Sequence, residues 1–217
     1  GEIWDSEADS NRSNSIGIGA GANGNKLMIL GGNGFVSTLR KSYSNSIGSG
    51  AATGNVVTVD GAGVPGSAVF NGGGGLTIGG NGAYRNQLTI TNGGIYRYSS
   101  VVLSGISNRL DVVGSGSQMY GDGSNHALYL GFGYATGNVM RVAEGGLVKD
   151  FTVWEHYIGG GHDQSGSSVG NQMIIGSGGT VITPKEVRIG QAYASGSLAM
   201  SNSVQITGTG ALWTVAN

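Results

Sequence analysis

The sequence predicts an all-β fold, a single-stranded parallel β-helix (β-solenoid) of about seven three-sided coils, each close to 30 residues long. Three observations carry that reading. An asparagine followed by apolar residues at i+2 and i+4, then by a corner residue at i+8, recurs seven times, at Asn25, Asn55, Asn86, Asn108, Asn138, Asn171 and Asn202. Apolar and polar positions alternate at period 2, which argues for strands, and no helical period is present. Glycine supplies 45 of 217 residues and proline only 2, so glycine punctuates apolar runs and does not build collagen. Repeats of this length signal stacked units that bury their apolar faces against their neighbours.

Each copy reads as three strands. The first follows the asparagine and points inward at Leu27/Ile29, Val57/Val59, Leu88/Ile90, Leu110/Val112, Met140/Val142, Met173/Ile175 and Val204/Ile206. The i+8 residue is Gly63, Gly94, Gly116, Gly146, Gly179 or Gly210, and Asn33 in the first copy, and it is expected to supply a positive φ at the corner. A second strand follows it, at Ile95, Val148 and Val181; a third has the form apolar-x-apolar-Gly, ending at Gly79, Gly131, Gly159 and Gly190. Asparagines in register can hydrogen-bond amide to amide along a stack, so their column is expected to be a structural ladder and not a row of sites. Parallel crossovers predict a right-handed coil. Stacking at about 4.8 Å per coil gives a rod roughly 34 Å tall. The copy from Asn86 to Asn108 spans 22 residues and fits by trimming its third strand, while longer copies insert loops near 160–170 and 191–201.

Copies with a Gly-Gly corner (Gly93-Gly94, Gly145-Gly146) alternate with copies carrying Gly-x-Gly (Gly61/Gly63, Gly114/Gly116, Gly208/Gly210). With segments such as "NQLTITNGGIY" and "VQITGTGALW", this pattern resembles the glycine-rich β-helical repeats of bacterial surface and autotransporter-passenger-like proteins, over about residues 14–213. The resemblance implies a secreted or cell-surface bacterial protein with structural or adhesive use, and it hands over no catalytic residue. Residues 1–13 read as a leader or inter-subunit segment and 14–217 as the solenoid domain. Gly1 to Trp4 parallels Gly210 to Trp213, so both ends read as uncapped and in repeat phase. Such ends predict head-to-tail stacking into a homopolymer, because a heterologous contact that does not close makes a filament.

Charge narrows the partners. With a net charge of −1 and 11% charged residues there is no basic surface for nucleic acid or anionic lipid, and no apolar run is long enough for a membrane helix. Outward positions on the first strand are Met28, Thr58, Thr89, Asp111, Arg141, Ile174 and Gln205, with Asp111 and Arg141 expected to pair across coils. On the third strand Tyr129, Tyr157 and Arg188 form an aromatic and cationic stripe, suited to a glycan or a protein surface or simply to stiffening the sheet.

The densest polar cluster is Lys149, Asp150, Glu155, His156, His162 and Asp163, whose spacing matches no metal motif; His156 aligns with inward residues and reads as a core histidine bonded to backbone. Asp5, Glu7 and Asp9 alternate oxygens as a calcium loop begins, without the turn glycine or closing glutamate of an EF-hand; no other cofactor is expected. The carboxylates fall at different phases of their coils, so catalysis is not expected. The sequence therefore points to an extracellular structural or adhesive solenoid that assembles into a surface filament or matrix fibre. The alternatives are a carbohydrate-binding or polysaccharide-degrading β-helix, lyase or hydrolase, and a fragment of a longer autotransporter-like adhesin.

Overall fold

Short strands that bury alternate side chains cannot be stable singly, and in this chain they stack into three parallel sheets. A computed structural model describes residues 3–4, 13–39, 42–80, 82–121, 127–149, 155–160, 166–183, 185–192 and 195–215. It is an all-β solenoid of about six turns. No helix long and apolar enough to cross a membrane is present among the described residues.

The asparagine sheet has seven strands: Lys26–Leu30, Val56–Asp60, Gln87–Thr91, Arg109–Val113, Val139–Ala143, Gln172–Ile175 and Ser203–Ile206. A second sheet of eight runs from Ile3–Trp4 through Ser37–Leu39, Ala68–Asn71, Ile95–Tyr98, Gln118–Gly121, Leu147–Lys149 and Thr180–Thr183 to Leu212–Val215. Ile3 and Trp4, inside the stretch read as a leader, pair in parallel with Thr38 and Leu39 and so continue this sheet. The third sheet follows Ser13–Ile18, Ser42–Ser49, Gly73–Ile78, Ser100–Ile106, Leu128–Thr136, His156–Gly160 and Val187–Gln191, with Ser168–Val169 and Ala199–Met200 alongside. Every pairing between these strands is parallel and joins equivalent repeat positions, as in Leu88↔Leu110↔Met140.

The core is a column. Val57, Val59, Leu88, Ile90, Leu110 and Val112 from the asparagine sheet are fully buried against Leu76, Ile78, Leu103 and Leu130 from the third. The 22-residue copy fills its interior with large rings: Tyr96 lies 4.9 Å from Phe70 and 6.0 Å from Tyr98, centroid to centroid.

One corner is held by the asparagines. Nδ2 of each donates to Oδ1 of the next, at 2.8 Å for Asn25 to Asn55, 2.9 Å for Asn55 to Asn86, 3.0 Å for Asn86 to Asn108, 3.2 Å for Asn108 to Asn138, and 2.9 Å for both Asn138 to Asn171 and Asn171 to Asn202. The same Oδ1 also accepts the preceding asparagine's backbone N–H, for example Asn86 to Asn108 at 2.8 Å. The remaining Nδ2 proton reaches corner carbonyls such as Ser104 O, 2.6 Å from Asn108. All five interior asparagines, from Asn55 to Asn171, are fully buried with these bonds made.

The ladder needs room, and the glycine that ends each third strand provides it. At Gly79 (φ 79°) an added Cβ would fall inside the Asn108 amide, and at Gly48 inside that of Asn86. The i+8 column is more varied than expected. Gly63, Gly116 and Gly210 have positive φ, but Gly94, Gly146 and Gly179 do not; in these copies Gly93, Gly145 and Gly178 turn the corner. Gly94 is required by contact instead, because its Cβ would strike the Val59 carbonyl of the previous coil. In the first copy Asn33 does not turn left-handed either; Gly34 does, at φ 82°.

Two outcomes test this corner. Asn108→Ala removes the acceptor of two buried donors and is expected to lower stability by about 3 kcal/mol, read from urea unfolding. Gly79→Ala is expected to cost several-fold more than Gly82→Ala, since Gly82 shares the positive φ but would place its Cβ in open space.

Candidate functional site

Outward side chains line up along the rod because the register is strict, so each sheet shows solvent a set of columns. On the third sheet Tyr129, Tyr157 and Arg188 are successive register partners. The two phenol rings stack with centroids 5.3 Å apart and planes 4° from parallel, and Phe132 meets Tyr129 edge-on at 5.0 Å. The Arg188 guanidinium carbon is 5.8 Å from the Tyr157 centroid. Its nitrogens bind Glu155 at 3.0 Å and Glu186 at 2.9 Å, and the Tyr157 hydroxyl donates to Glu155 at 2.8 Å. Tyr157 is only 2% exposed. The stripe read from the sequence is thus brought together as a stacked column whose cation is already neutralised.

The electrostatics agree with a closed network. Burial raises the Tyr157 phenol well above its ordinary value, helped by the hydrogen bond to Glu155 and that carboxylate's charge. Burial and Glu155 raise Tyr129 in the same direction. The Arg188 hydrogen bond pulls the exposed Glu186 carboxyl below its usual range.

His156 faces the core, 2% exposed, and its Nδ1 accepts the Leu128 backbone N–H at 3.0 Å, the backbone bond expected of a core histidine. On the asparagine sheet, Asp111 and Arg141 are register partners but do not pair. Asp111 is 5% exposed and binds Arg109, two residues along its own strand, at 2.6 Å, raising that guanidinium's pKa; Gln87 adds a bond at 3.1 Å. Arg141 turns instead to Glu144, three residues on, at 2.5 Å. In each case the partner nearer along the chain wins, because holding it fixes less side-chain entropy.

The second sheet holds an arrangement that the sequence reading passed over. Its outer column is Asn71, Arg97, Tyr120 and Lys149, joined by register pairing. All four are half-buried. The Arg97 guanidinium carbon lies 5.3 Å from the Tyr120 ring centroid. A cleft of about 260 Å³ opens against Gln118, Met119, Tyr120, Leu147 and Lys149. Arg97 Nε and Asn71 Oδ1 are each enclosed without a hydrogen-bond partner. The alternation that places Tyr96 and Tyr98 inside places Arg97 outside, so the signal was present in "IYRY" once its phase was fixed.

No cluster of three or more potential metal-ligating side chains occurs among the described residues. Asp5, Glu7 and Asp9, with Asp150, His162 and Asp163, lie outside those residues. Comparison with known protein families, curated proteins and solved structures finds no match to the chain.

The Tyr157 network makes a pH prediction. A folded-state pKa raised above the unfolded value of about 10 gives stability that is complete below pH 10 and is lost as pH climbs through the folded value. Urea midpoints measured from about pH 9 to 11 should therefore fall for the wild type, and fall less for Tyr157→Phe.

Proposed function

We propose that the chain is a structural and adhesive β-solenoid, a stiff rod working outside the cell or at a bacterial surface, which stacks head to tail with further copies of itself. The polarity of the asparagine ladder carries this reading. Every step donates from the N–H groups of one asparagine to Oδ1 of the next, always in the same direction. A stack built this way presents an acceptor at the Asn25 end and donors at the Asn202 end, so opposite ends of two copies are complementary. Apolar matching supports the same geometry: Ile206 and Val215, at inward repeat positions, are each 51% exposed in the last described turn. A further turn stacked there would bury them. The low charge and the glycine-rich resemblance support an extracellular, adhesive setting, with no reaction to perform.

Sedimentation velocity across a concentration series, with negative-stain microscopy of the same samples, tests the assembly. Wild type is expected to form rods that lengthen with concentration, and Ile206→Asp to shift this by tenfold or more in concentration. A wild type that remains monomeric at about millimolar concentration, or an Ile206→Asp variant that polymerises equally, removes the head-to-tail reading.

A carbohydrate-binding role is the second reading, and the observation favouring it is that Arg97 Nε and Asn71 Oδ1 on the second sheet have no hydrogen-bond partner among the described residues.

A further inference from the structure

Among the described residues, arginines are paired with carboxylates or stand in open solvent, with one exception. Arg109, Arg141 and Arg188 each bind an acid, and Arg85 is exposed at a corner. Arg97 is half-buried, its Nε enclosed, and no carboxylate binds it among the described residues. A guanidinium is a permanent cation with a rigid fork of donors matched to carboxylate geometry. An enclosed N–H without an acceptor is costly, and an anion bound by the same guanidinium would offset that cost electrostatically. One coil away Asn71 Oδ1 is an enclosed acceptor in the same condition. The described outer positions of the neighbouring strands, Val69, Ile95, Gln118, Leu147, Thr180 and Ile182, add no negative charge.

We infer that this face binds a carboxylated pyranose, the uronic-acid unit of an acidic polysaccharide. The sugar carboxylate accepts from the Arg97 guanidinium. Tyr120 supplies an aromatic surface against which the apolar face of a pyranose can lie, while Gln118 and Lys149 line the cleft beyond it. The chemistry distinguishes this ligand from other anions. Nucleic acid calls for a track of cations along a backbone, and this column has two. The cleft, about 260 Å³, lies just under the range of about 300–1,000 Å³ typical of pockets for drug-sized molecules, and so admits about one ring. Because equivalent positions lie about 4.8 Å apart along the rod, adjoining sugar units can extend over neighbouring strands. This site does not depend on head-to-tail stacking, and either can fail without the other.

Isothermal titration of the full chain is the test, with sodium polygalacturonate as ligand. Fully methyl-esterified polygalacturonate, dextran sulfate and poly-L-glutamate serve as comparisons. Polygalacturonate is expected to bind at least tenfold more tightly than each of them. Arg97→Gln should weaken that binding tenfold or more and Lys149→Gln at least threefold, with Arg85→Gln, removing an exposed cation, leaving it unchanged. Urea midpoints confirm that each variant is folded; should Arg97→Gln fail to fold, the threefold loss in Lys149→Gln decides. The proposal is overturned by any of four results: no binding of polygalacturonate, undiminished binding by the deciding variant, equal losses in Arg97→Gln and Arg85→Gln, or equal affinity for the sulfated polymer or the acidic peptide.

Discussion

The asparagine corner is the constraint on which the rest of this structure depends. A buried primary amide has two donors and an acceptor to satisfy, and leaving any of them unpaired inside a protein is costly. Stacking asparagines in register satisfies them all: Asn108, for instance, accepts from Asn86 and donates to Asn138 and to Ser104 O. A slip of one residue would leave those amides facing apolar side chains. The ladder therefore fixes the register of all three sheets, and the apolar column then follows from alternation alone. The requirement propagates back to Gly17, Gly48, Gly79, Gly131 and Gly159, where a Cβ would occupy the space of an asparagine in the next coil.

Much of this was legible in the residues themselves. Seven asparagines with inward pairs at fixed offsets could be read only one way, and the third-strand glycines were visible as the end of each apolar burst. The i+8 corner was harder, because two physical demands both select glycine. Gly63 is needed for its left-handed backbone, whereas Gly94 is needed because a carbonyl from the previous coil approaches too closely. A sequence shows the shared outcome and not which demand produced it. Side-chain pairing was less legible still: Asp111 could reach Arg141 across the coil or Arg109 along its strand, and only coordinates show the second. The Arg97 column was the least legible, because "IYRY" alternates equally well with either pair inward, and the outward face is set only by the burial of Tyr96 and Tyr98.

The third and second sheets make opposite use of the same ingredients. Each places a tyrosine beside an arginine on an outward column, yet Arg188 is held by Glu155 and Glu186 while Arg97, among the described residues, meets the Tyr120 ring and no carboxylate. Electrostatic closure in the first case makes a stiffening strut, since a satisfied guanidinium has little to gain from a ligand. In the second the donor geometry is held in place and its charge left unanswered, a preorganised arrangement that lowers the cost of ordering on binding.

The short copy adds a different kind of information. From Asn86 to Asn108 the chain takes 22 residues to complete a turn that elsewhere takes 30 to 33, yet the amide bonds on either side remain between 2.9 and 3.2 Å. The unit that must be conserved in building such a rod is therefore the corner and its two inward pairs, and not the arc of chain between them. Length and decoration become separable: whole turns can be duplicated, deleted or exchanged during evolution, and loops grown from any arc, without re-solving the packing of the interior.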